Sequence, residues 1–295
     1  MRALAYAKIN WDLHILGRRP DDFHELDTVM VNVSLHDVLD FEHADRISLT
    51  CSDPTLPTDS KNLVFRAAEL LQQKSGYKGG AKIALTKQIP AGGGMGGGSS
   101  DAACTLKSLN ELWGLNWTIA QLQPLAAELG SDVAFFLYGG WCRCLGRGEK
   151  VEPLQKDKLC IPINLLLLFP PWPVATPLVY KSLSYPVWDG KSKLRALTEV
   201  STAIQSAWLS MRTDKFMELG LLNDLTKPAL QVEPRLTELQ SLLEKLYPGR
   251  WLMSGSGSVH FVVRKASDGV QDLEEALASQ FDVGIRVHPA TTFTP

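Results

Sequence analysis

Pro90-Ala-Gly-Gly-Gly-Met-Gly-Gly-Gly-Ser-Ser-Asp101 sets six glycines and two serines between an apolar run and a segment of helical spacing. Glycines free the backbone to take positive φ and to approach a ligand without side chains in the way. Ser99, Ser100 and Asp101 are expected to open a helix over residues 102–113, where Ala103, Leu106, Leu109 and Leu112 fall near a period of 3.6. A helix start points unpaired N–H groups and a positive dipole end into the loop, which suits a polyphosphate. The same composition without context reads as a flexible linker. Here Ala81-Lys-Ile-Ala-Leu-Thr-Lys-Gln-Ile89 has strand composition, so the loop joins two ordered elements. Gly92-x-Gly94-x-x-Gly97 fits the dinucleotide fingerprint only formally, because no acidic residue stands at the right distance to hold a ribose. The common G-x-x-x-x-G-K-[ST] loop is absent.

Working outward, Ala3, Ala5, Ala7 and Ile9 alternate with Leu4, Tyr6, Lys8 and Asn10, the pattern of a strand. Lys8 is then either a solvated edge residue or a cation facing a ligand. The polar turn Gly17 to His24 precedes a second strand carrying Val29, Val31, Val33 and Leu35, and Ile47 and Leu49 continue the pattern. Consecutive strands of this kind predict an antiparallel meander and an α+β fold. A helix is expected from Asn62 to Gly76, and another from the Thr118-Ile-Ala-Gln121 capping box to Gly130. Asp132, in Gly130-Ser-Asp-Val133, reads by itself as a cap or turn residue.

Trp141 to Leu145 is expected as a strand, Gly146-Arg-Gly-Glu149 as a tight turn, and Leu159 to Phe169 as a buried strand. Helices are expected over Leu194 to Met211 and Pro234 to Leu246, the latter with Leu236, Leu239, Leu243 and Leu246 on one stripe. Met253-Ser-Gly-Ser-Gly257 is a second glycine-serine turn between strands, able to face the same ligand as the first. A helix around 273–277 and a strand over 283–287 close the pattern.

With 295 residues the chain has room for two domains. Thirty Lys and Arg stand against 32 Asp and Glu with no basic block, which argues against nucleic acid as the main partner. Five cysteines lack paired metal-ligand spacing and are expected as reduced thiols of a cytoplasmic protein. No run approaches the ~20 apolar residues of a membrane helix, and the first ten residues carry no secretory pattern.

Ala7-Lys-Ile-Asn10, Asp22-Phe-His24, Pro90 to Ala103, Gly130-Ser-Asp-Val133, Asn223-Asp-Leu225 and Met253-Ser-Gly-Ser-Gly257, in this order, resemble the GHMP kinase superfamily across nearly the whole chain. The resemblance implies a two-domain α+β fold, with an ATP-binding domain at 1–155, a substrate-side domain at 156–295 and the active site in the cleft between them. It implies an ATP-dependent phosphotransferase acting on an alcohol group. By similarity Asp132 is the general base and Lys8 its cationic partner. Pro90, Ala91, Gly92, Gly93, Gly94, Met95, Gly96, Gly97, Gly98, Ser99 and Ser100 would wrap the ATP phosphates, and Asn62 and Lys87 would bound the adenine pocket. The resemblance is closest to a branch whose substrate carries a cytidine diphosphate group and feeds isoprenoid synthesis. There Phe23, His24 and Tyr180 would bind the cytosine, with Asn10 nearer the polyol. Phe23 replaces the usual tyrosine, Met95 a leucine, and Ala134 a frequent proline, and none of these changes removes a chemical role. Mg²⁺ is expected with ATP, although no acidic cluster marks its ligands; Ser100 is the candidate. Homoserine-type or mevalonate-type kinases, and a non-catalytic nucleotide sensor, are the alternatives.

Overall fold

Two long strands, β1 (Arg2–Arg18) and β2 (His24–Ala44), form an antiparallel hairpin whose bulges fall between Tyr6 and Lys8, Asn10 and Asp12, and Ile15 and Gly17. The structure, a computed structural model, describes residues 1–154, 162–188, 190, 199–200, 202–203, 206 and 220–293. After the hairpin, β3 (Ser48–Cys51) does not extend a meander; it pairs in parallel with β4 (Gly80–Thr86). The reason is geometric. β2 carries β1 on one edge at His36–Asp40 and β4 on the other at Val38–Ala44, which leaves β3 no free edge there. Further along, β5 (Trp141–Gly146) pairs with β2 at Leu26–Val31 and is extended by β6 (Lys150–Pro153).

Four helices cover this sheet: α1 (Leu63–Ser75), α2 (Gly97–Leu112), α3 (Ile119–Leu129) and α4 (Val133–Tyr138). Leu71, Leu106, Leu109 and Phe135 pack with Leu39, Phe41 and Ile83 in one core. The expected boundaries appear where capping chemistry dictates them. Asn62 accepts the Val64 N–H at 2.9 Å, and Gly76 closes α1 at φ 70°. Gln121 Oε1 accepts the Thr118 N–H at 2.9 Å at the start of α3.

The remaining strands order as β11–β7–β10–β9, with β7 (Asn164–Phe169), β9 (Trp251–Met253), β10 (His260–Val263) and β11 (Arg286–Phe293) all antiparallel. On β7, Leu165 and Leu167 enter one core and Leu166 and Leu168 another, so its unbroken apolar run reflects burial on both faces. The second of these cores gathers Leu236, Leu239 and Leu243 of α7 (Leu236–Leu246) and Leu273 and Leu277 of α8 (Val270–Gln280), next to α6 (Thr226–Val232). Leu246, expected on the same stripe, is exposed. β11 begins at Arg286, three residues later than expected from Val283, because its partner β7 ends at Phe169 and runs into Pro170 and Pro171, which have no N–H to donate. The far end of β11 pairs Thr292 with Val33 of β2, which stitches the two groups of strands together. Short elements α5 (Thr176–Lys181) and β8 (Leu222–Asn223) complete the description, β8 lying parallel to β1 at Asp12 and Leu13. Most of the helix expected at 194–211 lies outside the described residues, as do residues 159–161 of the expected strand, Cys160 among them. Among the described residues no helix is long and apolar enough to cross a membrane.

Candidate active site

The glycine loop connects β4 to α2, and the helix starts at Gly97, two residues before the serines expected to open it. Glycines permit this because the turn into the helix needs left-handed backbone: Gly92, Gly94 and Gly96 stand at φ 75°, 77° and 69°. Gly94 also has no room for a side chain, since a β-carbon there would lie 2.5 Å from the Ser254 carbonyl oxygen. No side chain caps Gly96, so the first N–H groups of α2 remain available to an anion. The helix is anchored on its other side. Ser100 Oγ donates to the Tyr6 carbonyl at 2.7 Å, and Lys87 Nζ lies between Asp37 and Asp101, 2.8 Å from the latter. Burial lowers the Lys87 pKa, but the charges of Asp101 and Asp37 outweigh it and the net shift is upward. Burial pushes Asp101 up to about 7 against the pull of Lys87.

Lys8 meets this loop from β1. Its ammonium donates to Asn10 Oδ1 at 2.7 Å and to the Gly94 carbonyl at 2.9 Å, and lies 3.4 Å from Asp132 Oδ2. Asn10 is held in that orientation because its amide donates to Thr28 Oγ1 at 2.9 Å, and Thr28 Oγ1 donates to the Asp12 carbonyl at 2.5 Å. Lys8 is therefore no solvated edge residue: it is 3% exposed. Asp132 stands at the position before α4, yet its side chain makes no capping bond, so its carboxylate is not spent on the helix.

Both residues line a cavity of about 750 Å³. Its lining includes Lys8, Asp132, Gly94 and Gly96, with Asn10 and Thr28. The aromatic lining comes from Phe23, His24 and Tyr180, the last two with ring centroids 5.4 Å apart. Burial, with a smaller contribution from Arg18, lowers the His24 pKa and favours the neutral ring. Burial, then the Asp132 charge, raises that of Tyr180. Phe23 is half exposed, with the Arg147 guanidinium 4.8 Å from its ring centre. Another stretch of wall is the second glycine-serine turn, where Gly255 and Ser256 line the cavity and Ser256 Oγ lies 2.7 Å from Thr176 Oγ1. The two glycine turns thus touch, as Ser254 Oγ is 3.3 Å from the Gly94 carbonyl.

Of the expected site residues, Lys8, Asn10, Phe23, His24, Gly94, Gly96, Asp132 and Tyr180 line this one cavity. Asn62 and Lys87 do not; Asn62 caps α1 and Lys87 is held by two carboxylates. Met95 is buried beneath the loop. Thr28, Arg147 and Thr176 were not expected, whereas Ser256 enters with the second glycine-serine turn, which was expected to face the same ligand. Of the unexpected residues Arg147 alone had a signal, the Gly146-Arg-Gly148 turn, whose two glycines have positive φ. Among the described residues no three His, Cys, Asp or Glu side chains converge to hold a metal ion.

Residues 62–140, from the cap of α1 to the start of β5, match the family described as GHMP kinases N terminal domain. The chain is 40% identical over 265 residues to the 4-diphosphocytidyl-2-C-methyl-D-erythritol kinase of Pelotomaculum thermopropionicum, covering 88% of this chain and 87% of that one. It superposes on the crystal structure of a 4-(cytidine 5'-diphospho)-2C-methyl-D-erythritol kinase with a TM-score of 0.79 at 34% identity, over all of both chains. A mevalonate kinase structure shares the fold, with a TM-score of 0.68 at 13% identity. By this similarity the chain belongs to the 4-diphosphocytidyl-2-C-methyl-D-erythritol kinase family of GHMP kinases, the ATP-dependent small-molecule phosphotransferases.

Proposed function

We propose that this chain transfers the γ-phosphoryl group of ATP to the 2-hydroxyl of 4-diphosphocytidyl-2-C-methyl-D-erythritol, with Asp132 as general base and Lys8 as its partner. The observation that carries the reading is the Asp132 carboxylate, which caps no helix, lines the cavity and lies 3.4 Å from the Lys8 ammonium. A sugar-alcohol hydroxyl is a poor nucleophile at neutral pH. A carboxylate in contact takes its proton as the oxygen attacks, and a nearby ammonium favours the ionised form of that carboxylate. Such assistance is worth ~10²–10⁴ in rate, and positioning and electrostatics supply the rest.

In this reading the backbone of residues 90–100 and the start of α2 hold the phosphates, which they are suited to do by their free N–H groups. Asn62 and Lys87 bound the adenine pocket, Lys87 with its charge already offset by Asp37 and Asp101. Phe23 and Tyr180 offer aromatic faces to the cytosine. A neutral His24 presents one donor and one acceptor nitrogen to its edge. Asn10, beside Lys8, faces the polyol. Mg²⁺ neutralises phosphate charge when bound. Ser100 Oγ, its proton given to Tyr6, keeps lone pairs for one ligand bond, and such a sparse donor set suits an ion held mainly by phosphate and water. Among the described cysteines Cys51, Cys104 and Cys144 are free thiols, as a reducing cytoplasm would keep them.

A coupled ADP-release assay tests the reading with the cytidyl substrate against homoserine and mevalonate. Turnover of the cytidyl substrate alone is expected. Turnover of only the other two would move the chain to another branch, and ATP binding without turnover of any would make it a nucleotide-binding protein.

A further inference from the structure

The motif Asn223-Asp-Leu225 lines no part of the cavity, yet its side chains reach toward it through the second glycine-serine turn. Asn223 ends β8 and is 5% exposed. Its amide donates to two carbonyls of that turn, Met253 at 2.8 Å and Gly255 at 2.7 Å, while its Oδ1 accepts the Leu225 N–H at 2.9 Å. All its bonding groups are thus used, two of them to brace one turn. The next residue anchors the clamp to β1: Asp224 N–H donates to the Leu13 carbonyl at 3.0 Å, and Asp224 Oδ2 accepts the Ile15 N–H at 2.8 Å.

Two of the five residues of the turn are glycines, whose backbone freedom an external brace restrains. Gly255 and Gly257 take φ 57° and 90°, and glycine is the residue that loses most conformational freedom on being ordered. What the turn touches is the loop that holds Lys8. Ser254 Oγ accepts the Asn10 N–H at 3.3 Å and lies 3.3 Å from the Gly94 carbonyl, the same carbonyl that accepts from Lys8. A β-carbon at Gly255 would sit 3.3 Å from that oxygen and 3.4 Å from Asn10 Oδ1, so the two backbones are in contact with no spare space. A displaced 254–257 turn therefore displaces two of the three oxygens around the Lys8 ammonium.

We propose that Asn223 is a positioning residue for phosphoryl transfer: it holds the 253–257 turn against Gly94 and Asn10 and so fixes Lys8 beside Asp132. The proposal rests on the function assigned above. Asn223→Asp tests it, since the carboxylate keeps the shape and the bond from Leu225 but loses both donors. Ser254→Ala, which cuts the link one step nearer the loop, serves if the first variant folds poorly. Leu239→Ala, in the helix-covered core away from the cavity, is the control for lost stability.

For Asn223→Asp, kcat with the cytidyl substrate is expected to fall about tenfold or more, while KM for that substrate changes little. Amide hydrogen exchange, followed by mass spectrometry, is expected to quicken both in 253–257 and in 92–97. Faster exchange confined to 253–257, or a fall in kcat no greater than that of a Leu239→Ala enzyme with an equal drop in Tm, overturns the proposal. If the wild-type chain does not turn over the cytidyl substrate, the assigned function fails, and the exchange in 92–97 still decides whether Asn223 braces the loop.

Discussion

Lys8 and Asp132 sit 3.4 Å apart with unequal access to solvent, the lysine side chain 4% exposed and the aspartate 30%. The ammonium is sealed among Asn10 Oδ1, the Gly94 carbonyl and the carboxylate, which gives its three N–H groups three acceptors. The carboxylate keeps an open side toward the cavity. A substrate hydroxyl can reach it without disturbing the lysine.

Phe23→Ala removes a ring that offers a stacking face and keeps the Lys8–Asp132 pair. Stacking of a base on an aromatic ring is worth about 1–3 kcal/mol, so KM for the cytidyl substrate should rise about 5- to 150-fold. KM for ATP should stay within about twofold. Initial rates with each substrate varied in turn check this, and an unchanged cytidyl KM would move the base elsewhere. Phe23→Tyr should bind as wild type does.

Within the glycine loop, two alanine substitutions should part in sign. At Gly94 the positive φ alone costs about 1–3 kcal/mol, and the new β-carbon meets the Ser254 carbonyl oxygen at 2.5 Å, so Tm and ATP affinity should both fall. At Gly98, in the first turn of α2, the nearest atom to a new β-carbon is Leu63 Cδ1 at 3.7 Å. Alanine is favoured over glycine in a helix by about 0.5–1 kcal/mol, so thermal melting should show Gly98→Ala at or above wild type. Equal losses at the two positions would contradict the distinction.

His260 gives the fold a pH response. It is buried on β10, with Nδ1 2.9 Å from the Ser258 carbonyl and Nε2 3.0 Å from the Gln240 amide nitrogen, so the neutral ring donates at Nδ1 and accepts at Nε2. Burial lowers its pKa from 6.5 to about 4. Between those values the unfolded chain binds the proton and the folded one does not, so stability falls as pH drops from about 6.5 to about 4, by about 3 kcal/mol. Asp101, raised by burial, pulls in the opposite direction. The readout is therefore the difference in urea-unfolding free energy between wild type and His260→Gln across this range: it should shrink toward pH 4, and a constant difference would refute the assignment.

How much of this could be read in the sequence varied with how local each signal is. The glycine loop was legible because composition, a preceding strand and a following helix are neighbours in the chain. The caps at Asn62, Gly76, Thr118 and Gly130 were legible for the same reason. Lys8 remained ambiguous as a residue on an alternating strand, because its burial comes from residues 94–96, which the strand pattern cannot contain. Asp132 read by itself as a cap; the resemblance of its motif gave it a role, and only the fold sets it beside Lys8. Thr28 and Thr176 are isolated hydroxyls with no spacing to betray them, whereas Ser256 was legible through its glycine-serine turn. The pairing of β3 with β4 depended on which edges of β2 were already taken, a property of the assembled sheet.

The central claim is that Asp132 takes the substrate proton with Lys8 as its partner, and the turnover number of Asp132→Asn tests it most directly. The amide cannot accept that proton, so kcat should fall by about 10²-fold or more while ATP and cytidyl-substrate affinities and Tm stay near wild type. Lys8→Met should lose a similar factor, and the double variant should be little worse than either single one, because the pair acts as a unit. Near-normal turnover by Asp132→Asn would contradict the mechanism.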